Sequence, residues 1–244
     1  MADTAQFIHD RFQRFMNGIG ERYEPFIRQH LSKVYMVLAS TTAASAVGAL
    51  LQMRGTFDLG IIAAIASLVL VLGLHFYKDD GKNYYTRLGM LYAFGFCSGQ
   101  TLGPLLDYIC SINPAIILTA LTGTFVTFGS LSLAALLAEQ GKYLYLGGML
   151  VSVINCMALL SLFNMIFKSY FVQITQLYVG VFVMAAFIVY DTQNIVDKCR
   201  MGNRDVVQHA LDLFFDVLSM FRRLLIILTQ KEEQKQNDRR KRKQ

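Results

Sequence analysis

Three carboxylates inside apolar stretches are the residues of this sequence whose chemistry most needs an explanation. Asp191 lies near the end of one apolar stretch, and Asp212 and Asp216 lie within the next. A carboxylate in hydrocarbon costs about 2.5 to 3.5 kcal/mol on insertion scales, so such groups face protein or water. Carboxylate oxygens bind protons and are also the preferred ligands of calcium. The three residues therefore predict a possible calcium site at which protons compete with the ion.

The last apolar stretch carries a polar stripe that would hold two of these acids on one helix face. Its members recur at steps of three and four residues and are His209, Asp212, Asp216, Ser219 and Arg223. We expect Asp216 to meet Asp191 at similar depth, where two carboxylates in a poorly hydrated interior share one proton and sense pH. Asp212 is a secondary candidate. The structural alternative is that these acids only hydrogen-bond adjacent helices, or that Asp212 caps a helix or reaches to the interface.

The composition indicates that a membrane surrounds these acids. The 244 residues are 54% hydrophobic and only 16% charged, against about 25% charged in an ordinary soluble domain. The apolar residues come in blocks of roughly 20, the length that crosses a hydrocarbon core. We interpret seven blocks as spans, at residues 34–52, 57–77, 87–110, 114–138, 143–167, 174–194 and 207–229. The predicted fold is an all-α, seven-helix transmembrane bundle with the striped last helix at its centre.

Three parts follow along the chain: a cytosolic amphipathic segment at 1–33, the seven-helix domain at 34–230, and a basic tail at 231–244. Apolar residues at helical spacing in the first part predict a helix lying on the membrane surface; they are Phe7, Ile8, Phe12, Phe15, Met16 and Ile19. The tail, KEEQKQNDRRKRKQ, favours anionic lipid headgroups over nucleic acid as its partner. Its Lys241 and Arg242 resemble a dilysine-type retrieval signal for the endoplasmic reticulum.

A ridge of small residues on the third span predicts close helix packing. Gly95, Gly99 and Gly103 follow one another at steps of four, immediately before Pro104. Small residues on one face allow a second backbone to approach closely in a membrane. We interpret the ridge as a packing surface without a direct functional role.

The distribution of basic residues predicts that the N-terminus is cytosolic. With that orientation the short cytosolic segments hold Arg11, Arg14, Arg22, Arg28, Lys33, Lys78, Lys82, Arg87, Lys142, Lys198, Arg200 and Arg204, whereas the opposite loops hold Arg54 and Lys168. Seven crossings would nevertheless place the basic tail on the other side, against the charge rule. A last segment that dips into the membrane and returns would resolve the conflict, yet it contains no Gly or Pro on which to turn. Both arrangements stay open at this point.

Enzymatic activity is not expected. The sequence contains no phosphate-binding loop, nucleophile elbow or paired histidine motif of a metalloprotease. His9, His30 and His75 have no metal-like partner at helical spacing. Cys97, Cys110, Cys156 and Cys199 lack paired spacing and are interpreted as small buried hydrophobic residues. We expect no cofactor, and calcium only as a transported ion.

Short motifs in the last two spans are similar to those of a known family. Tyr190-Asp191-Thr192-Gln193 and the run Ala210-Leu-Asp-Leu-Phe-Phe-Asp216 resemble the Bax inhibitor-1 branch of the transmembrane Bax inhibitor motif family. Supporting stretches are Gly103-Pro104, Asn113-Pro114, Leu146-Gly147-Gly148 and Leu177-Tyr178-Val179-Gly180. The resemblance covers roughly residues 34 to 230.

This resemblance implies a pH-sensitive calcium leak in the endoplasmic reticulum membrane, governed by an acidic pair that maps to Asp191 and Asp216. It also implies suppression of apoptosis and of death from endoplasmic reticulum stress, with Bcl-2 family proteins as partners. Two alternatives remain: a non-conducting regulator that binds Bcl-2 relatives or other membrane proteins, and a proton-coupled transporter.

The sequence departs from bacterial relatives at one position near the acids. Those relatives carry an arginine on the second helix, whereas residues 57–77 here contain no Lys or Arg. Arg54, His75 and Arg223 are the residues that would have to replace it.

Overall fold

The chain forms seven long helices in a computed structural model that describes residues 23–56 and 58–242. The helices are α1 (Pro25–Met53), α2 (Ile61–Phe76), α3 (Tyr84–Ile112), α4 (Ala115–Leu137), α5 (Leu146–Phe167), α6 (Tyr170–Arg200) and α7 (Val206–Lys241). No strand occurs within these residues, which confirms the all-α prediction. The predicted surface helix at residues 7–19 lies outside the described part.

Length and apolar composition fit a membrane. By these two measures α1, α4, α5 and α6 are long and apolar enough to cross a bilayer, and α2 is a shorter apolar helix. Large apolar side chains on α5 point outward; Phe163 is 59% exposed and Ile166 is 76% exposed. Helices suit this environment because they satisfy their own backbone hydrogen bonds in lipid. The protein is therefore a multi-pass membrane protein.

The packing brings α6 and α7 against the same neighbours. Helix α7 packs against α1, α3, α4 and α6, while α6 also packs against α1, α4 and α5. The core between them is apolar and aromatic, with the rings of Phe94 and Phe214 5.7 Å apart. Helix α2 packs on α3.

The glycine ridge of α3 forms the close contact predicted for it. A Cβ added to Gly99 would lie 1.9 Å from the carbonyl oxygen of Ser45, and one added to Gly95 would lie 2.8 Å from that of Thr41. Helix α1 also contributes Gly48, whose added Cβ would lie 2.2 Å from the carbonyl oxygen of Phe96. The backbones of α1 and α3 therefore touch over about two turns of α1.

The last segment is one continuous helix, which excludes the hairpin interpretation for the described chain. It shows no break between residues 230 and 231, so the basic tail to Lys241 continues α7. Near its end, Tyr108 of α3 donates a hydrogen bond to Glu233. The tail thus leaves the bundle beside the connection between α3 and α4, at the end opposite to the α6–α7 connection.

Candidate functional site

The side chains of Asp191 and Asp216 meet between α6 and α7. Their carboxyl groups lie close enough for each to act electrostatically on the other. Asp216 is only 4% exposed, and its buried Oδ2 receives no hydrogen bond from an amide, hydroxyl or basic group of the described residues. Two carboxyl oxygens form a hydrogen bond only when a proton lies between them.

The hairpin of α6 and α7 explains why the two acids meet. The connection at 201–205 is short, and Asp205 begins α7 by accepting a hydrogen bond from the backbone nitrogen of Gln208 at 3.0 Å. Asp191 lies 203 − 191 = 12 residues before Asn203, and Asp216 lies 216 − 203 = 13 residues after it. Counted from the helix ends at Arg200 and Val206, Asp191 is 200 − 191 = 9 residues away and Asp216 is 216 − 206 = 10 residues away, which is about 14 and 15 Å at 1.5 Å per residue. Equal depth therefore follows from the sequence once the two helices run antiparallel.

Asp212 lies one turn closer to the connection. Its Oδ1 accepts a hydrogen bond from Nε2 of Gln208 at 2.9 Å. It also lines a polar cavity near the α2–α3 and α6–α7 connections. Asp212 therefore lies between that cavity and the acidic pair.

One expected residue and one unexpected residue act electrostatically on the acids. Lys198 lies close enough to act electrostatically on Asp191 and Asp212, and His75 on Asp212. Of the three expected replacements, His75 is therefore the one beside the acids. Lys198 was missed, although its spacing of seven residues from Asp191 places both on one helix face.

Arg223 lies on the far side of the pair. Its Nη1 donates to the backbone oxygen of Gln176 at 3.1 Å. It packs on Gly180, where an added Cβ would come within 2.0 Å of its guanidinium. Arg54 follows the end of α1 as its C-cap.

Two buried polar contacts beside the acids were also missed. Nε2 of His30 and Nδ1 of His209 are 2.8 Å apart, and both rings are almost fully buried. Nη1 of Arg87, which is 2% exposed, forms a 2.7 Å ion pair with Oδ2 of Asp205. These contacts join α7 and its N-cap to α1 and α3. No local sequence spacing reveals either pair, because each joins residues more than 100 positions apart.

The cysteines are less uniformly buried than expected. Cys97 and Cys199 are buried, Cys110 is intermediate and Cys156 is exposed. In the described residues, no three His, Cys, Asp or Glu side chains are arranged to hold a metal ion.

Comparison with known proteins identifies the family. The model of the family described as "Inhibitor of apoptosis-promoting Bax1" matches residues 27–233. The chain is 86% identical over 243 residues to Bax inhibitor 1 of Drosophila melanogaster, covering 100% of this chain and 99% of the relative. The chain belongs to the Bax inhibitor-1 family. Human Bax inhibitor 1 is 38% identical over 215 residues, covering 88% of this chain and 91% of the relative.

The Bax inhibitor-1 match extends across kingdoms and includes the acids. Bax inhibitor 1 of Arabidopsis thaliana is 33% identical over 215 residues, covering 87% of this chain and 85% of the relative. The range matched by the family contains Asp191, Asp212 and Asp216. These relatives are named as inhibitors and not as enzymes.

Proposed function

We propose that this Bax inhibitor-1 family member is a pH-sensitive calcium leak channel of the endoplasmic reticulum membrane that suppresses apoptosis. The observation that carries the proposal is that the carboxyl group of Asp191 faces the almost fully buried carboxyl group of Asp216 inside a helical bundle. Intramembrane acids that face each other are expensive and commonly mark ion or proton pathways. Calcium is the transported ion here, and the acids are its transient ligands.

A shared proton would control the distance between α6 and α7. With the proton present, the two carboxyl groups attract each other; without it, two negative charges repel in a poorly hydrated interior. Asp212, Lys198 and His75 face the same region and would adjust that balance. We propose that α7 is the central helix of the channel, because its contacts with α1, α3 and α4 would transmit such a shift to the bundle.

The channel proposal is tested with purified protein in liposomes, by following calcium flux at several pH values. We expect Asp191→Asn and Asp216→Asn to remove the pH response, because an amide cannot gain or lose the shared proton. Asp107→Asn is the matched control, since Asp107 is an exposed acid of α3 with no part in the pair. Absence of flux, or an unchanged pH response in both pair variants, would refute the proposal.

The cellular part of the proposal is suppression of Bax-linked and stress-induced death from the endoplasmic reticulum, with a cytosolic N-terminus. The names of the relatives and of the matched family support an inhibitory role toward Bax. The basic residues near the α2–α3 and α6–α7 connections support the orientation. Protease protection of a tag at each terminus tests it.

A second candidate function is a non-conducting regulator that binds Bcl-2 family proteins. The exposed basic end of α7, residues 231–242, favours it as a surface open to partners. Removal of residues 231–244 would then abolish protection and partner co-purification while leaving liposome flux unchanged. Saturable exchange of a solute for protons would instead identify a transporter.

A further inference from the structure

A polar cavity of about 860 Å³ opens at the end of the bundle where α2 meets α3 and α6 meets α7. Its size falls within the roughly 300 to 1,000 Å³ of small-molecule sites. Basic side chains from four separate segments reach it: Lys78 from the α2–α3 connection, Arg87 from α3, Lys198 from α6 and Arg204 from the α6–α7 connection. The convergence of these segments makes this basic cavity a product of the fold, because no single stretch of sequence contains it.

The one buried cation of the basic cavity already has a partner. Arg87 is paired with Asp205 at 2.7 Å, although its buried Nε has no acceptor among the described residues. A buried guanidinium N–H without an acceptor is unfavourable. Asp205 therefore holds Arg87 in place, and Nε of Arg87 still has a free N–H group for an acceptor.

The other cations lack such partners. The ion pairs within the described residues are Arg87–Asp205 and Arg200–Glu24, so Lys78, Lys198 and Arg204 have no carboxylate oxygen within 4 Å. The remaining acids of the cavity are Asp79 and Asp212, and Asp212 is engaged by Gln208. The lining thus carries four cations against three carboxylates. The guanidinium of Arg204 lies over the ring of Phe26, 4.8 Å from its centroid, a contact that leaves its charge unneutralised. An anion among these cations would supply the missing negative charge.

We propose that the basic cavity binds a phosphate group, carried by a soluble phosphorylated molecule or by a phospholipid headgroup at the membrane surface. Arginine and lysine supply the donors that phosphate oxygens require, the former as a planar fork and the latter as a point charge. Binding needs no ion flux, so the inference holds or fails separately from the channel proposal.

A ligand bound in the basic cavity would act on the acids through Lys198. This lysine lines the cavity and also lies near Asp191 and Asp212. A phosphate that pairs with Lys198 neutralises the positive charge that otherwise acts on these two carboxylates. The ligand is thus a regulator of the acidic pair, and by reciprocity the state of the pair changes phosphate affinity.

The test measures binding to the purified full-length protein in detergent by calorimetry at constant ionic strength. One arm uses glycerol 3-phosphate with inorganic phosphate, and the other uses dihexanoyl phosphatidic acid below its micelle concentration. We expect Lys198→Gln and Arg204→Gln each to weaken binding at least tenfold. The paired variant Arg239→Gln/Arg240→Gln is the control, because it removes the same type of charge from the exposed end of α7.

Each outcome decides the inference. Binding in both arms supports a site for phosphate from either source, and binding in the lipid arm alone identifies a headgroup site. No binding in either arm refutes the inference. It is equally refuted if the cavity variants bind like the unmodified protein, or if the control variant weakens binding as much as they do. Unfolding temperatures of all variants are measured first, and Lys198→Arg is expected to restore binding if Lys198→Gln unfolds.

Discussion

The contact between α1 and α3 predicts that Gly99→Ala destabilises the bundle. The added Cβ would lie 1.9 Å from the carbonyl oxygen of Ser45 and 2.9 Å from the backbone nitrogen of Ala49. Ordinary contacts begin at 3.4 Å, so the shortfall is 3.4 − 1.9 = 1.5 Å. The obstructing atoms belong to the backbone, and no side-chain rotation relieves the clash. Helix α1 must therefore move away from α3.

Gly89→Ala supplies the matched control on the same helix, because a Cβ at Gly89 meets no atom within 4 Å. Both substitutions gain the roughly 1 kcal/mol by which the helix propensity of alanine is more favourable than that of glycine. The difference between them isolates the clash, which we expect to lower the free energy of unfolding of Gly99→Ala by about 1 to 3 kcal/mol relative to the control. Reversible denaturation in mixed micelles, followed by circular dichroism, measures it. Equal stability of the two variants would show that α1 and α3 are not in backbone contact.

Two further predictions concern the connection between α2 and α3 and its surroundings. Arg87→Met should lower the free energy of unfolding by about 3 kcal/mol, which is the lower end for a broken buried ion pair because Asp205 stays partly hydrated. Denaturation of this variant is compared with that of the double variant Arg87→Met/Asp205→Asn, in which no unpaired carboxylate remains. An equal loss of unfolding free energy in the two variants would contradict the prediction. Backbone N–H groups of Lys82 and Asn83 donate to Asp80 and lower its pKa below the ordinary 3.8. The turn is therefore stabilised above pH 3.8 and loses that stabilisation as pH falls through the lowered pKa; amide exchange at Lys82 should show this loss, which Asp80→Asn should abolish.

The features that sequence could predict are those with a local period. Blocks of roughly 20 apolar residues predict the helices, and the spacing of Gly95, Gly99 and Gly103 predicts their packing face. The equal distance of Asp191 and Asp216 from one short connection predicts their contact. Their functional roles stay predictions.

Features created by the joining of distant segments could not be predicted in this way. His30 contacts His209 across 179 positions, and the basic cavity gathers Lys78 and Arg204 from two different connections. Nothing in either stretch signals its partner, because the relevant distance exists only after helices that are far apart in sequence have packed.

The continuity of α7 has a mechanical consequence. Its 36 residues extend about 54 Å, well beyond a hydrocarbon core of about 30 Å. Such a rod contains no proline, glycine or break at which torsion would be absorbed. A partner that rotates the protruding basic end would therefore also rotate Asp216, which lies roughly 38 Å from Lys241 along the helix axis. A force on the basic end of α7 and a proton on Asp216 would therefore act on the same rigid helix.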